Sequence, residues 1–382
     1  MLCQGNPVGR KKLKLHFSKN ITDITNYEPG QSPEELNREL GITHAITLAS
    51  NENPWGPSPA VAKALSLAMT TLHRYPDTSA CSLSATLARN IGVSLNEIVL
   101  GNGSKEVMEL LLRIFIRTGC EVITSCPSSL LYQRLVQIHG GKNIIVPLRR
   151  LSHDLERILT GISDRTRLIL FDNPTNPTGT AITPVELYSF LSEVPEGVTV
   201  VLDESYVEFM DQEKQVDIFS LVRNTKNRCG VVVVRTFSKA YGLAGLRIGY
   251  GVMPEEIAAC LQKVRQPFNV NHLAQIAALA ALEDENYLRK TLERTRIGKE
   301  YLREEVKKLG CTSYPSQTNF LLIDVKSDAT RLYQAMLGKG VIVRPMNLYG
   351  FADCIRINVG TDEENTRFLA VLAECLSDLE DA

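Results

Sequence analysis

From about residue 95 onward, short apolar runs alternate with amphipathic stretches: EIVLG, EVITSC, NIIVPL, TRLILFD, TVVLDES and VVVVRTF. Each run is of strand length, rich in aliphatic or β-branched residues, and ended by Gly, Pro, Asp or Ser. Several lack polar alternation, as expected of strands that helices cover on both faces. The pattern predicts an α/β fold with a mostly parallel central sheet in a large domain. After Pro267 the pattern changes. HLAQIAALAALEDENYLRKTLERTRIGKEYLREEVKKLG reads as almost continuous helix. NFLLIDV, GVIVRPM and CIRINVG then read as strands, with a closing helix near 363–380. We expect residues 1–46 to form an N-terminal arm contributing to a small domain, 47–280 the large α/β domain, and 281–382 a smaller α+β domain.

Upstream, SPEELNRELG predicts a short helix opened by Ser32-Pro33 and closed by Gly41. NENPWGPSP at 51–59 breaks both helix and strand, and PAVAKALSLAM is again helical in pattern. A formal net charge of -1 argues against a broad nucleic-acid-binding face. The nine cysteines include no CxxC pair and the six histidines are dispersed, which fits a reducing, cytoplasmic setting and no metal site. The N-terminus MLCQGNPVGRKKLKLHF is basic but carries no apolar segment long enough for secretion or membrane spanning, and reads as a mobile or partner-contacting arm.

RTFSKAYGLAGLRIGY, at 235–250, sets small residues around Lys239 where an apolar run ends. Ser238, Ala240 and Gly242 leave volume beside the lysine, and Arg247 adds positive charge. Burial and a like charge favour the neutral amine, which condenses with an aldehyde. Thr236 and Ser238 offer hydroxyls to an anion such as a phosphate. Taken alone, the stretch equally describes a solvated lysine in a small-residue turn.

Other strand ends tip the balance. Asp203 closes VVLD, where an acid can pair with a ring nitrogen. Tyr206 and Asn176 can hydrogen-bond a ring oxygen. With a lysine that condenses with an aldehyde, these groups describe a site for pyridoxal phosphate. Asp203 as a mere turn former fits less well, because sites gather beyond the carboxyl ends of parallel strands. LGNGSKEVMELLL supplies a glycine turn into a helix, with Ser104 as its expected N-cap and free N–H groups for an anion. Neither GxGxxG nor a Walker A motif occurs, so nicotinamide or ATP chemistry has no direct support.

These residues resemble the pyridoxal-phosphate-dependent aminotransferases of fold type I and, within them, the histidinol-phosphate aminotransferase family. The resemblance covers nearly the whole chain through NYEPGQSPEEL, LASNENPWGPSP, RYPD, LGNGSKE, NPTNPTG, VVLDESYVEF, RTFSKAYGLAGLRIGY, RQPFNVN, VIVRPM and IRINVG. It implies Lys239 as the lysine that bonds the cofactor and shuttles the proton, Asp203 as partner of the pyridine nitrogen, and Asn176 and Tyr206 on the ring oxygen. Ser104, Thr236, Ser238 and Arg247 then surround the phosphate. Tyr75 matches a tyrosine reaching the phosphate from the other subunit, which implies a homodimer with composite sites. Tyr27, Asn53, Arg344 and Arg356 fall on the substrate side, the two arginines offering planar donor forks after strands. Trp55 reads as a core or interface anchor.

Two positions depart from the family pattern. PSSLLY stands where PTFxMY is frequent, placing Ser129 at the stacking position and Tyr132 at the terminal tyrosine. A lost ring face removes about 0.5–1.5 kcal/mol of aromatic packing. Lys105 stands where an acid is common, either steadying the phosphate or facing solvent. The resemblance implies amino transfer from L-histidinol phosphate to 2-oxoglutarate, with no nucleic-acid or membrane partner. Rival readings are transfer from aromatic amino acids, decarboxylation of a phosphorylated amino acid, and a non-enzymatic cofactor-binding regulator. Only Ser129 hints at the last.

Overall fold

The computed structural model describes residues 16–24, 33–223 and 228–380. Its strands are β1 (Ile46–Thr47), β2 (Ile98–Gly101), β3 (Glu121–Cys126), β4 (Lys142–Pro147), β5 (Thr166–Asp172), β6 (Thr199–Asp203), β7 (Gly230–Thr236), β8 (Gly249–Val252), β9 (Thr312–Ser313), β10 (Phe320–Asp324), β11 (Val341–Ile342), β12 (Arg344–Pro345) and β13 (Cys354–Asn358). Seven of them form the large sheet, in the order β2-β8-β7-β6-β5-β3-β4. β4, β3, β5, β6 and β7 run parallel, and β8 pairs antiparallel to both β7 and β2. The α/β fold with a mostly parallel sheet is therefore as expected. The antiparallel strand β8 lies in GYGV, which the apolar-run pattern passes over because two glycines dilute it.

The central strands β5 to β7 are buried on both faces. Alternate residues serve two cores: Ile169, Val200 and Val233 pack on one side, and Leu168, Val201 and Val232 on the other. This is why these strands read as unbroken apolar runs. A four-stranded antiparallel sheet, β12-β13-β10-β9, packs Leu321, Ile323, Ile355 and Ile357 into a further core with Phe368 and Leu372. β1 pairs with β11 in a parallel two-stranded ladder, tying residues 46–47 to this later part of the chain.

Two readings need correction. GVIVRPM is not one strand: β11 pairs with β1 while β12 pairs with β13, so the run divides at buried Val343. Pro345 is tolerated because β12 is an edge strand, where the missing N–H breaks no ladder. The long helix is two, His272–Glu283 and Glu285–Lys308, parted at Asp284, whose carboxylate accepts the Tyr287 N–H at 3.1 Å and restarts the helix. The helices Pro33–Leu40, Pro59–Ala68 and Asp362–Glu380 lie where the pattern puts them. Ser32, Tyr27 and residues 1–15 of the N-terminal arm lie outside the described residues.

Candidate active site

Parallel strands end on the same side of a sheet, so register decides which residues meet there. β5 and β6 finish level, Asp172 beside Asp203, and Asp203 pairs with Val234 of β7. Two residues beyond Val234, β7 ends at Thr236, which puts the Lys239 turn over the same edge.

Asp203 is buried, and both its oxygens are occupied. Oδ1 accepts the Ser205 N–H at 3.0 Å, and Oδ2 accepts the Tyr132 hydroxyl at 2.6 Å. Desolvation is the largest influence and pushes its carboxyl up to about 6, against the lowering effect of Ser205 and Tyr132. Burial also raises the Tyr132 phenol, followed by the charge of Asp203, so Tyr132 stays a hydrogen-bond donor. Asp172 accepts from Ser128 Oγ at 2.9 Å and from the Asn176 N–H at 2.7 Å, which pins the turn after β5.

The Tyr206 oxygen receives two amides, Asn51 Nδ2 at 2.9 Å and Asn176 Nδ2 at 3.3 Å. Desolvation pushes its phenol up to about 12, with Arg356 acting the other way. Asn176 Oδ1 in turn accepts Arg356 Nη1 at 2.5 Å, and Arg356 Nη2 reaches the Ala49 carbonyl at 2.7 Å. Arg356 is buried in the middle of β13, not just after a strand, and its guanidinium lies 5.3 Å from the Phe320 ring centroid. The large sheet and the small one thus meet through a line of polar groups running Tyr206, Asn176, Arg356.

Lys239 is half-buried, its Nζ donating to the Ser50 carbonyl at 2.8 Å and lying 5.9 Å from the Tyr206 ring centroid. Desolvation, then the positive charges of Arg356, Lys105 and Arg247, pull its ammonium down to about 7. A lysine near 7 is neutral for a substantial fraction of the time at physiological pH, which is what nucleophilic attack and proton abstraction need.

Beside it lies a cradle of donors. Thr236 Oγ1 and Ser238 Oγ are 3.0 Å apart, and Arg247 Nη1 donates to Ser238 Oγ at 3.4 Å. Gly103, not Ser104, is the N-cap of the helix Ser104–Phe115, with φ 83°. A Cβ there would stand 2.5 Å from Arg247 Nη2, and one at Gly249 would stand 2.4 Å from the Ser104 nitrogen. Absent side chains let the helix N-terminus and Arg247 converge on one space. Lys105 is exposed by area. Its ammonium is nevertheless held below the ordinary lysine range by desolvation and then by Arg247, with Asp203 opposing. Positive groups and N–H donors meeting in this way suit a phosphate.

The other expected residues are placed less directly. Asn53 spends its amide on the fold: Nδ2 donates to the Ala240 carbonyl at 3.1 Å and Oδ1 accepts the Trp55 N–H at 3.1 Å. It borders a cleft of about 300 Å³ shared with Glu52, Ser238 and Asn358. Arg344 stands in β12 directly across from Arg356. Trp55 is half-buried against the core of the small sheet, with Arg294 5.8 Å from its ring centroid. Tyr75 stands apart: it is 81% exposed and stacks on Phe268, centroids 4.7 Å apart. Ser129 is the half-buried residue before the helix Leu130–Ile138. A groove of about 520 Å³ lined by Cys81, Glu255 and Arg265 shares no residue with the Lys239 cluster. Among the described residues no group of His, Cys, Asp and Glu is arranged to hold a metal, and no helix is long and apolar enough to cross a membrane. Sequence reading missed Tyr132 as the partner of Asp203, and missed Asn51 altogether. The resemblance put Tyr132 near the site, but no local pattern joins it to an acid 71 positions away.

Residues 43–372 match the family model described as aminotransferase class I and II. A histidinol-phosphate aminotransferase of Desulfotalea psychrophila is 53% identical over 96% of this chain and 97% of its own length. Another, of Moorella thermoacetica, is 42% identical over 94% of this chain and 92% of its own. The crystal structure of histidinol-phosphate aminotransferase from Sinorhizobium meliloti in complex with pyridoxal-5′-phosphate has a TM-score of 0.89 to this chain at 29% identity. That match covers 96% of this chain and 99% of the other.

Proposed function

The chain belongs to the class I and II aminotransferase family, and we infer that it is a histidinol-phosphate aminotransferase using pyridoxal 5′-phosphate, in histidine biosynthesis. The reaction moves the amino group of L-histidinol phosphate to 2-oxoglutarate, giving imidazole acetol phosphate and L-glutamate. The observation that carries the reading is the meeting of Lys239, Asp203 and the Tyr206–Asn176–Arg356 line at one strand edge, in a chain 53% identical to a relative of that name.

The residues present fit the cofactor. Asp203 offers a buried acid for the ring nitrogen, Tyr206 and Asn176 face the ring oxygen, and Ser104, Lys105, Thr236, Ser238 and Arg247 surround the phosphate. Gly103 leaves the space that a Cβ would fill. When bound, the pyridoxal ring supplies an electron sink for the bond broken at the substrate's α-carbon. Lys239 Nζ takes the α-proton and holds it for redelivery, a role suited to an amine titrating near 7. Asp203 keeps its carboxylate on the ring nitrogen, held in place by Tyr132 and Ser205. Arg356 and Arg344 offer guanidinium forks to the phosphate of one substrate and the carboxylates of the other, Tyr27 adds a hydroxyl, and Asn53, its amide held by Ala240 and Trp55, shapes the border of the substrate side.

The working form is a homodimer with composite sites, in the cytoplasm. In support, Tyr75 and Phe268 expose stacked rings, and Leu67, Met69 and Leu72, a few positions before Tyr75 in sequence, are further large apolar side chains left exposed in the single chain. Steady-state rates with histidinol phosphate, phenylalanine, tyrosine and threonine phosphate test the donor. The reading predicts transamination of the first, and a chain inactive with it but active on another has a different substrate.

A further inference from the structure

Asn51 is 2% exposed and sits at φ 52°, a left-handed conformation that asparagine adopts more readily than most residues. Its main chain is fixed from the small sheet: the N–H donates to Asn358 Oδ1 at 3.1 Å, and the carbonyl accepts Asn319 Nδ2 at 3.2 Å. The side chain is not needed for either bond. Among the described residues it makes one hydrogen bond, from Nδ2 to the Tyr206 oxygen, and its buried Oδ1 has no partner.

The sense of these bonds follows from the groups around them. Arg356 can only donate, so the Asn176 atom it meets at 2.5 Å is the oxygen, and the amide nitrogen of Asn176 faces Tyr206. Turning the Asn51 amide over would bury two N–H donors in place of one acceptor, and buried orphan donors are the rarer and costlier case. With N–H donors arriving from both amides, neither can accept the phenolic hydrogen of Tyr206. Among the described residues that hydrogen has no acceptor.

We propose that Asn51 is a positioning residue that aims the hydroxyl proton of Tyr206 into the active site, so that Tyr206 meets the cofactor's ring oxygen as a donor. The inference rests on Tyr206 facing that oxygen, as in the preceding section. It assigns to the side chain of Asn51 a purpose that its main-chain bonds do not require.

Asn51→Gly tests it cleanly, because glycine suits the left-handed φ and keeps both main-chain hydrogen bonds. The measurements are the dissociation constant of pyridoxal phosphate for the apoprotein and the pH midpoint of the bound cofactor's absorbance. We expect Asn51→Gly to weaken retention about three- to tenfold, the worth of one hydrogen bond. It should also move the midpoint in the same direction as Tyr206→Phe, and add nothing in a Tyr206→Phe background. Asn51→Asp, of the same shape but offering an acceptor, draws the proton away and moves the midpoint at least as far. An Asn51→Gly effect equally large in both backgrounds means a merely structural role and overturns the proposal. So do wild-type values in Asn51→Gly or an unmoved midpoint in Asn51→Asp. If Tyr206→Phe alone changes neither quantity, the placement of Tyr206 on the ring oxygen fails and takes this inference with it.

Discussion

Arg344 and Arg356 stand directly opposite each other in the β12–β13 ladder, so their side chains leave the small sheet on the same face. Like charges in that relation repel. An anion between them turns the repulsion into binding, and both proposed substrates bring one. Arg344→Gln is expected to raise KM for histidinol phosphate about 10- to 100-fold with little change in cofactor affinity, the worth of a charge-assisted hydrogen bond. Arg356→Lys is expected to lower kcat as well, because Arg356 also holds Asn176. Steady-state kinetics separate the two, and equal effects on KM alone would remove Arg356 from the Tyr206 line.

Lys239 sets a pH dependence whose sign is fixed. It titrates near 7 in the folded chain and near about 10.4 when unfolded. Between those values the unfolded chain binds more protons, so apoprotein stability rises with pH across that window. Lys239→Met is expected to raise the apoprotein Tm at pH 6, by a margin that shrinks towards pH 10. The same variant abolishes turnover and the lysine-linked absorbance of the cofactor. A margin unchanged with pH would mean that the amine is not desolvated.

Asp203 works in the opposite sense. Its folded value near 6 exceeds the unfolded value near about 3.9, so its ionisation costs stability as pH rises from 4 to 6. Asp203→Asn is expected to stabilise the apoprotein at pH 7, leave it unchanged at pH 4, and weaken cofactor binding. Thermal melts at the two pH values check this.

Among the described residues, Tyr132→Phe removes the one side chain that donates to Oδ2 of that buried acid. The expected cost is about 1–3 kcal/mol at pH 7, and less below pH 5 where the carboxyl is protonated. Denaturant unfolding at both pH values measures it, and a cost independent of pH would assign Tyr132 to packing alone.

Tyr75→Phe is expected to weaken cofactor retention, and mixing it with Lys239→Ala to restore some activity through composite sites. The absence of complementation after verified subunit exchange would count against sharing across an interface.

Much of this site was legible because its groups sit at strand ends. Asp203, Asn176 and Lys239 each stop an apolar run, and a parallel sheet brings such stops together. Arg247 and the glycine turn at 103 were legible as small or charged residues in places where packing alone asks for neither. The rest depends on pairings between distant segments. Nothing near Tyr132 marks it as the donor to Asp203, and nothing near Asn51 marks its amide as facing Tyr206. Registers and close approaches, such as Val343 dividing GVIVRPM between two sheets, become visible only when the partner strands are in place.

The strip from Ala49 to Asn51, whose Ser50 carbonyl accepts Lys239 Nζ, is held by Arg356 and Asn358, 307 positions downstream, and by Asn319. Synthesis runs from the other end, and domains generally form in the order they emerge. Every strand of the seven-stranded sheet has been made by Val252, before any of those clamps exists. A ribosome-stalled or prematurely terminated product therefore carries the nucleophile on a finished scaffold with the strip it bonds to unfastened. Catalytic competence is the last property the nascent polypeptide acquires.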